Sequence, residues 1–165
     1  MYSHNINQIL ETQLRQTKTR FLGVFPSDHI PNHLDSFPCC FVANTDPHNE
    51  PGTHWVAFFY PSLDSLEFFD SYGMPPSFYG FRSPCNVEYN QYQFQSFSTK
   101  VCGEYCIYFL YHRARNHSLS YICHKLKQYH HSVDHYVGSF VSHFRLPKLK
   151  CSQFNSQYAK IKGRK

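Results

Sequence analysis

The chain contains no CxxC pair, no glycine-rich phosphate loop, no Gly-x-Ser-x-Gly elbow and no apolar run of membrane-spanning length. Without CxxC pairs the usual framework of a structural zinc knuckle is missing. Nucleotide-dependent and serine-hydrolase chemistry likewise has no motif to rest on. MYSHNINQILETQLRQ has no signal-like apolar core, so a soluble intracellular protein with reduced thiols and no membrane partner is expected. Internal repeats are absent, and there is one Trp in 165 residues. Acidic residues stop at Asp134, while Arg145, Lys148, Lys150, Lys160, Lys162, Arg164 and Lys165 supply seven of sixteen positive charges. This stretch reads as a solvated end or as a contact for nucleic acid or another polyanion.

What is present is aromatic. Sixteen Phe and thirteen Tyr suit a packed α+β core and exclude a disordered chain. The length predicts one domain over residues 1–147, followed by a basic tail at 148–165. Ile6, Ile9, Leu10 and Leu14 have helical spacing, whereas FLGVFPSDHIP is interrupted by Gly23, Pro26 and Pro31 and reads as irregular. CCFVAN at 39–44, HWVAFFYP at 54–61 and LEFFD at 66–70 read as strands, with SLDS turning the last two into a hairpin. NVEYNQYQFQ at 86–95 alternates with one break and reads as an edge strand. From Cys102 the pattern becomes helical, and Ser118 is placed to cap a further helix over 118–126, with another at 133–144. The expected fold is α+β, a small mainly antiparallel sheet packed against helices, with the Cys102 helix central.

The chemistry concentrates in QSFSTKVCGEYC, residues 95–106. Cys102 stands where loop becomes helix. There the first-turn N–H groups and the helix dipole favour a thiolate, and Gly103 permits close backbone approach. Cys39, Cys40, Cys106 and Cys123 read as small buried hydrophobes. Gln95 can donate to a developing oxyanion together with the Cys102 N–H. His54 opens a strand beside Trp55, and Asp70 ends the antiparallel neighbour, so both reach the same sheet edge. A carboxylate there can fix the imidazole tautomer and stabilise the imidazolium. His131 and His135 are spaced four apart but lack a third ligand, so no metal site is predicted.

The order His54, Asp70, Gln95, Cys102, with the motifs HW, FFDSYG and Q-x-x-x-x-x-x-CG-x-x-C, resembles the adenovirus-type cysteine endopeptidases (adenain type). These fall in the larger class of ubiquitin-like-protein proteases and have relatives in virus-like Polinton (Maverick) elements. The resemblance runs from about Phe21 to about His112 and includes FLGVFPSD, Asn44-Thr45 and GTHWVAF. It implies a papain-like protease core with His54 as general base, Asp70 its orienter, Gln95 the oxyanion donor and Cys102 the nucleophile. Trp55 and Gly103 would line a narrow substrate channel, and cleavage would follow a small residue such as Gly. Precursor processing in virion maturation, within the virion and host nucleus, is the implied role of a monomeric enzyme. The chemistry needs no cofactor. DNA, met by Lys148, Lys150, Lys160, Lys162, Arg164 and Lys165, and an activating viral peptide, joined by disulfide to Cys85, are implied as activators. Asp70-Ser71 stands where adenovirus enzymes have Glu, and the chain is shorter than theirs. The Asp-Ser pair looks more like the branch that removes ubiquitin- or SUMO-like modifiers. Deconjugation is therefore one alternative function, and a catalytically silent DNA-binding scaffold is another.

Overall fold

The run CCFVAN has no polar residue before its last position, so neither of its faces can lie in water. In the computed structural model, which describes residues 1–144, it forms β2 (Cys39–Asn44), buried along its whole length. Around it lie β1 (Arg20–Phe25), β3 (Trp55–Ser62), β4 (Ser65–Phe69) and β5 (Asn86–Tyr89) in the order β1-β2-β3-β4-β5. The helices are α1 (Ser3–Leu14), α2 (Cys102–Arg113), α3 (Leu119–Lys127) and α4 (Val133–Ser142). The fold is α+β.

Three sequence expectations change. The sheet is mixed rather than mainly antiparallel: β2-β3 and β3-β4 are antiparallel, but β1-β2 and β4-β5 are parallel. Parallel neighbours need connections of roughly a dozen residues or more, which residues 26–38 and 70–85 provide. FLGVF is a strand rather than an irregular segment. Gly23, at φ 129°, absorbs a register shift between Phe21 and Val24 and lets the run stay paired with β2. The edge strand stops at Tyr89 instead of Gln95, because Asn90 turns inward onto Asp70 and Phe94 packs on Phe69.

Alternating side chains of the central strands feed two cores. Cys40, Val42, Ala57, Phe59 and Phe69 face the helices and meet Ile6, Leu10, Ile107, Leu110, Ile122 and Val137. Phe41, Ala43, Val56, Phe58, Leu66 and Phe68 form the second core with Phe81. A fully buried Phe or Leu contributes about 1.5–3 kcal/mol, and α2 is buried continuously from Cys102 to Leu110. Its far end is pinned where the Arg113 guanidinium forks onto the Glu67 carboxylate, 2.5 and 2.8 Å away, and lies over the Phe59 ring. Ser118 caps α3, its hydroxyl accepting from the Tyr121 N–H at 3.2 Å. No helix among the described residues is long and apolar enough to cross a membrane. Residues 148–165, with Lys148, Lys150, Lys160, Lys162, Arg164 and Lys165, lie outside the described residues.

Candidate active site

The hairpin brings the first pair together. His54 immediately precedes β3 and Asp70 immediately follows β4, so the antiparallel register places both at one sheet edge. The His54 Nε2 and Asp70 Oδ1 are 2.6 Å apart. Asp70 is wholly buried, and burying a carboxylate is costly unless donors surround it. They do. Oδ1 also accepts from the Tyr72 N–H at 3.1 Å, and Oδ2 accepts from the Met74 N–H and the Tyr79 hydroxyl, both at 2.9 Å. Asn90 grips the Asp70 backbone from both sides: its Oδ1 accepts the Asp70 N–H and its Nδ2 donates to the Asp70 carbonyl.

His54, held through Nε2 by Asp70, also interacts with Cys102, the first residue of α2. Burial works against the imidazolium. Hydrogen bonds to Asp70 and to the Cys102 sulfur, with the charges on both, outweigh it and carry the His54 pKa from 6.5 up to about 9. Burial likewise works against the Cys102 thiolate. The His54 hydrogen bond and charge, with the N–H groups of Trp55 and Gly103, overcome it and hold the thiol below its ordinary value. Burial drives Cys39 and Cys123 up to about 11, and Cys106 well above its ordinary range. The α2 entrance carries no side-chain cap, so its first-turn N–H groups stay free to face an anion.

Gln95 is 1 % exposed. The Thr99 carbonyl can only accept, so the bond to it at 2.9 Å identifies Nε2, and Oε1 accepts from the Ser71 hydroxyl at 2.7 Å. Nε2 keeps a second hydrogen for another acceptor. The Ser71 carbonyl in turn accepts the N–H groups of Phe94 and Gln95. One dipeptide, Asp70-Ser71, therefore holds both the histidine and the glutamine. Asp134 of α4 steadies the segment between Gln95 and Cys102, accepting from the Ser96 N–H and the hydroxyls of Thr99 and Tyr105.

No protein-family model matches this chain, and no curated protein matches its sequence.

The remaining candidates separate. The Trp55 indole donates to the Met1 carbonyl at 3.2 Å and lines a groove of about 420 Å³ with Tyr2, Asn44, Asp46, His48 and Gly52. Gly103 lies beneath α1, where a Cβ would meet Ile6 at 3.0 Å and Met1 at 3.1 Å, so its bare Cα serves the α1–α2 approach. Cys85 precedes β5 beside the Ser65 end of β4, the end opposite Asp70, and its thiol donates to the Leu63 carbonyl at 3.0 Å. His131 and His135 border a hollow beside Gln95, and no third donor completes a metal-holding group with them among the described residues.

Sequence reasoning missed Ser71, Tyr72, Tyr79, Asn90 and Asp134. Tyr72 stacks on His54 at 4.7 Å and is itself backed by the exposed Phe97 at 5.3 Å, giving an aromatic wall that favours the imidazolium. The interrupted alternation at Asn90 was the one local signal. The others are visible only once the chain has folded.

Proposed function

We propose that this chain is a cysteine endopeptidase with the papain-like core of the adenovirus-type and ubiquitin-like-protein proteases. The observation that carries the reading is one buried array: a wholly buried Asp70 on His54, His54 on Cys102, and Cys102 at an uncapped helix entrance. The His54 imidazolium and Cys102 thiolate form the resting pair. The sulfur attacks the substrate carbonyl carbon. The resulting oxyanion takes hydrogen bonds from the free Gln95 Nε2–H and the Cys102 N–H. Collapse expels the amine, which receives its proton from His54. Neutral His54 then draws a proton from water, and the hydroxide cleaves the thioester and regenerates the thiolate.

A narrow channel beside Trp55 and cleavage after a small residue such as Gly follow from the resemblance. Processing of viral or virus-like-element precursors follows from the resemblance, as does stimulation by DNA or by a peptide disulfide-linked to Cys85. A second reading keeps the chemistry and changes the substrate: Asp70-Ser71 favours removal of ubiquitin-like modifiers. The test is purified protein with Gly-containing fluorogenic peptides, precursor peptides and modifier conjugates. Cys102→Ala abolishes cleavage, whereas Cys106→Ala leaves it within about threefold, a change in barrier below 1 kcal/mol. Near-full activity in Cys102→Ala removes the assignment. Failure of a thiol probe to label Cys102 selectively in the native protein favours a silent scaffold.

A further inference from the structure

Away from the proposed active site, an adjacent carboxylate and imidazole meet a second imidazole that lies twenty positions from the carboxylate in sequence. Asp28 and His29 end the short 3-10 turn Ser27–His29 that follows β1, and His48 lies in the β2–β3 loop. Because β1 and β2 are parallel neighbours paired as far as Phe25 and Ala43, both segments leave the sheet at the same end. The backbone ties them there: the Ser27 N–H donates to the Asp46 carbonyl at 3.0 Å, and the His48 N–H to Asp28 Oδ1 at 2.9 Å. The side chains then meet. His29 Nδ1 is 3.0 Å from Asp28 Oδ1, and His48 Nδ1 is 2.5 Å from Asp28 Oδ2. The imidazole rings stand edge to face at 4.9 Å. One donor atom from each residue lies within 4.8 Å of the others.

We propose that Asp28, His29 and His48 bind a divalent transition-metal ion of the zinc class, clamping the segment after β1 to the β2–β3 loop. Two imidazoles and one carboxylate are a borderline donor set that suits zinc and disfavours calcium or magnesium, which take oxygen ligands. Tetrahedral ligands about 2.0–2.1 Å from zinc stand about 3.3 Å from one another. The two imidazole–carboxylate spacings, 3.0 and 2.5 Å, fall within about 1 Å of that value, so small side-chain adjustments admit the ion. Each ring then presents its Nδ1 lone pair and keeps its hydrogen on Nε2. The His29 and His48 side chains are 57 % and 63 % exposed, which gives the ion entry and leaves its fourth position to water.

The clamp has a consequence for the neighbouring groove. His48 lines it together with Asp46, Gly52 and Trp55, and the same loop runs directly into His54. An ion at the loop's outer edge stiffens that wall without touching the Cys102 sulfur. The proposal does not depend on the protease reading, because its test reads metal binding rather than peptide cleavage.

The experiment is isothermal titration of zinc chloride into the full chain carrying Cys102→Ala, which removes the thiol held low at the α2 entrance. The expected result is one zinc bound per chain, weakened about tenfold or more by adding His29→Gln, His48→Gln or Asp28→Asn. Zinc raises the melting temperature of the Cys102→Ala protein and fails to raise that of the histidine variants, whose far-ultraviolet circular dichroism reports that they fold. Cobalt(II) at the site gives visible bands without thiolate charge transfer. Undiminished zinc affinity in both histidine variants, a thiolate charge-transfer band, or no zinc binding to the Cys102→Ala protein overturns the proposal. The cluster would then be a hydrogen-bonded clasp and no more.

Discussion

Asp70→Asn tests the centre of the site without relying on any substrate. Asn keeps the shape and removes the charge. Its carbonyl oxygen can still accept from His54 Nε2 and the Tyr72 N–H, where Asp70 Oδ1 now accepts at 2.6 and 3.1 Å. Its amide nitrogen then faces the Met74 N–H and the Tyr79 hydroxyl. The hydroxyl can rotate to become the acceptor, but the Met74 N–H cannot, and one unsatisfied buried donor costs about 1–3 kcal/mol. The rise of the His54 pKa from 6.5 to about 9 corresponds to about 3 kcal/mol in favour of the imidazolium, and Asp70 is the largest contributor to it. A raised histidine pKa stabilises the fold fully below 6.5, and that stabilisation is lost as pH climbs through about 9. Asp70→Asn is thus expected to lower the His54 pKa by at least about one unit and to destabilise the fold by about 2–4 kcal/mol at slightly acid pH. The gap should narrow toward alkaline pH. Imidazole C–H resonances followed by NMR read the titration, and denaturant unfolding from below pH 6.5 to above pH 9 reads the stability. An unchanged His54 titration, or a stability gap that widens with pH, refutes the reasoning.

Two further outcomes follow from the groups behind the site. Ser71→Ala removes the 2.7 Å bond to Gln95 Oε1 while the Thr99 bond survives; kcat on a Gly-containing peptide falls about tenfold with KM unchanged, against about 10²–10³ for Gln95→Ala. Equal losses in the two variants would show that Ser71 does more than hold the amide. Asp134→Asn weakens the acceptor shared by Ser96, Thr99 and Tyr105. Amide hydrogen exchange across residues 95–101 should accelerate while that of β2 stays slow, with a stability loss of about 1–3 kcal/mol. Uniform acceleration through the sheet would mean that Asp134 supports the whole fold rather than this segment.

Local patterns located the helices, four of the five strands (the last with its end misplaced) and the residues now gathered at one sheet edge. CCFVAN and the α2 sequence are apolar enough to admit one environment, and Ser118 could be assigned as a cap from its neighbours alone. The hairpin 55–69 was legible because a short turn forces antiparallel pairing, and pairing puts His54 and Asp70 at the same end of the two strands. The parallel edges were not legible. They depend on where long connections travel, and Gly23 reads as a strand breaker until a bulge is seen to accommodate it. Ser71 and Asn90 were passed over for a similar reason: each is an ordinary polar residue whose partner, Gln95 or the Asp70 backbone, lies twenty or more positions away.

Residue type and spacing were enough to nominate a thiol, a base, a carboxylate and an amide, because those choices rest on covalent chemistry and short-range backbone geometry. Only the folded chain could set their charge. Whether Cys102 sits below or above an ordinary thiol depends on burial opposed by His54 and two backbone N–H groups, and that balance of desolvation against hydrogen bonding exists only in three dimensions. Tertiary packing also joined Asp28 and His29 to His48, since two parallel strands must end together before their loops can share an ion.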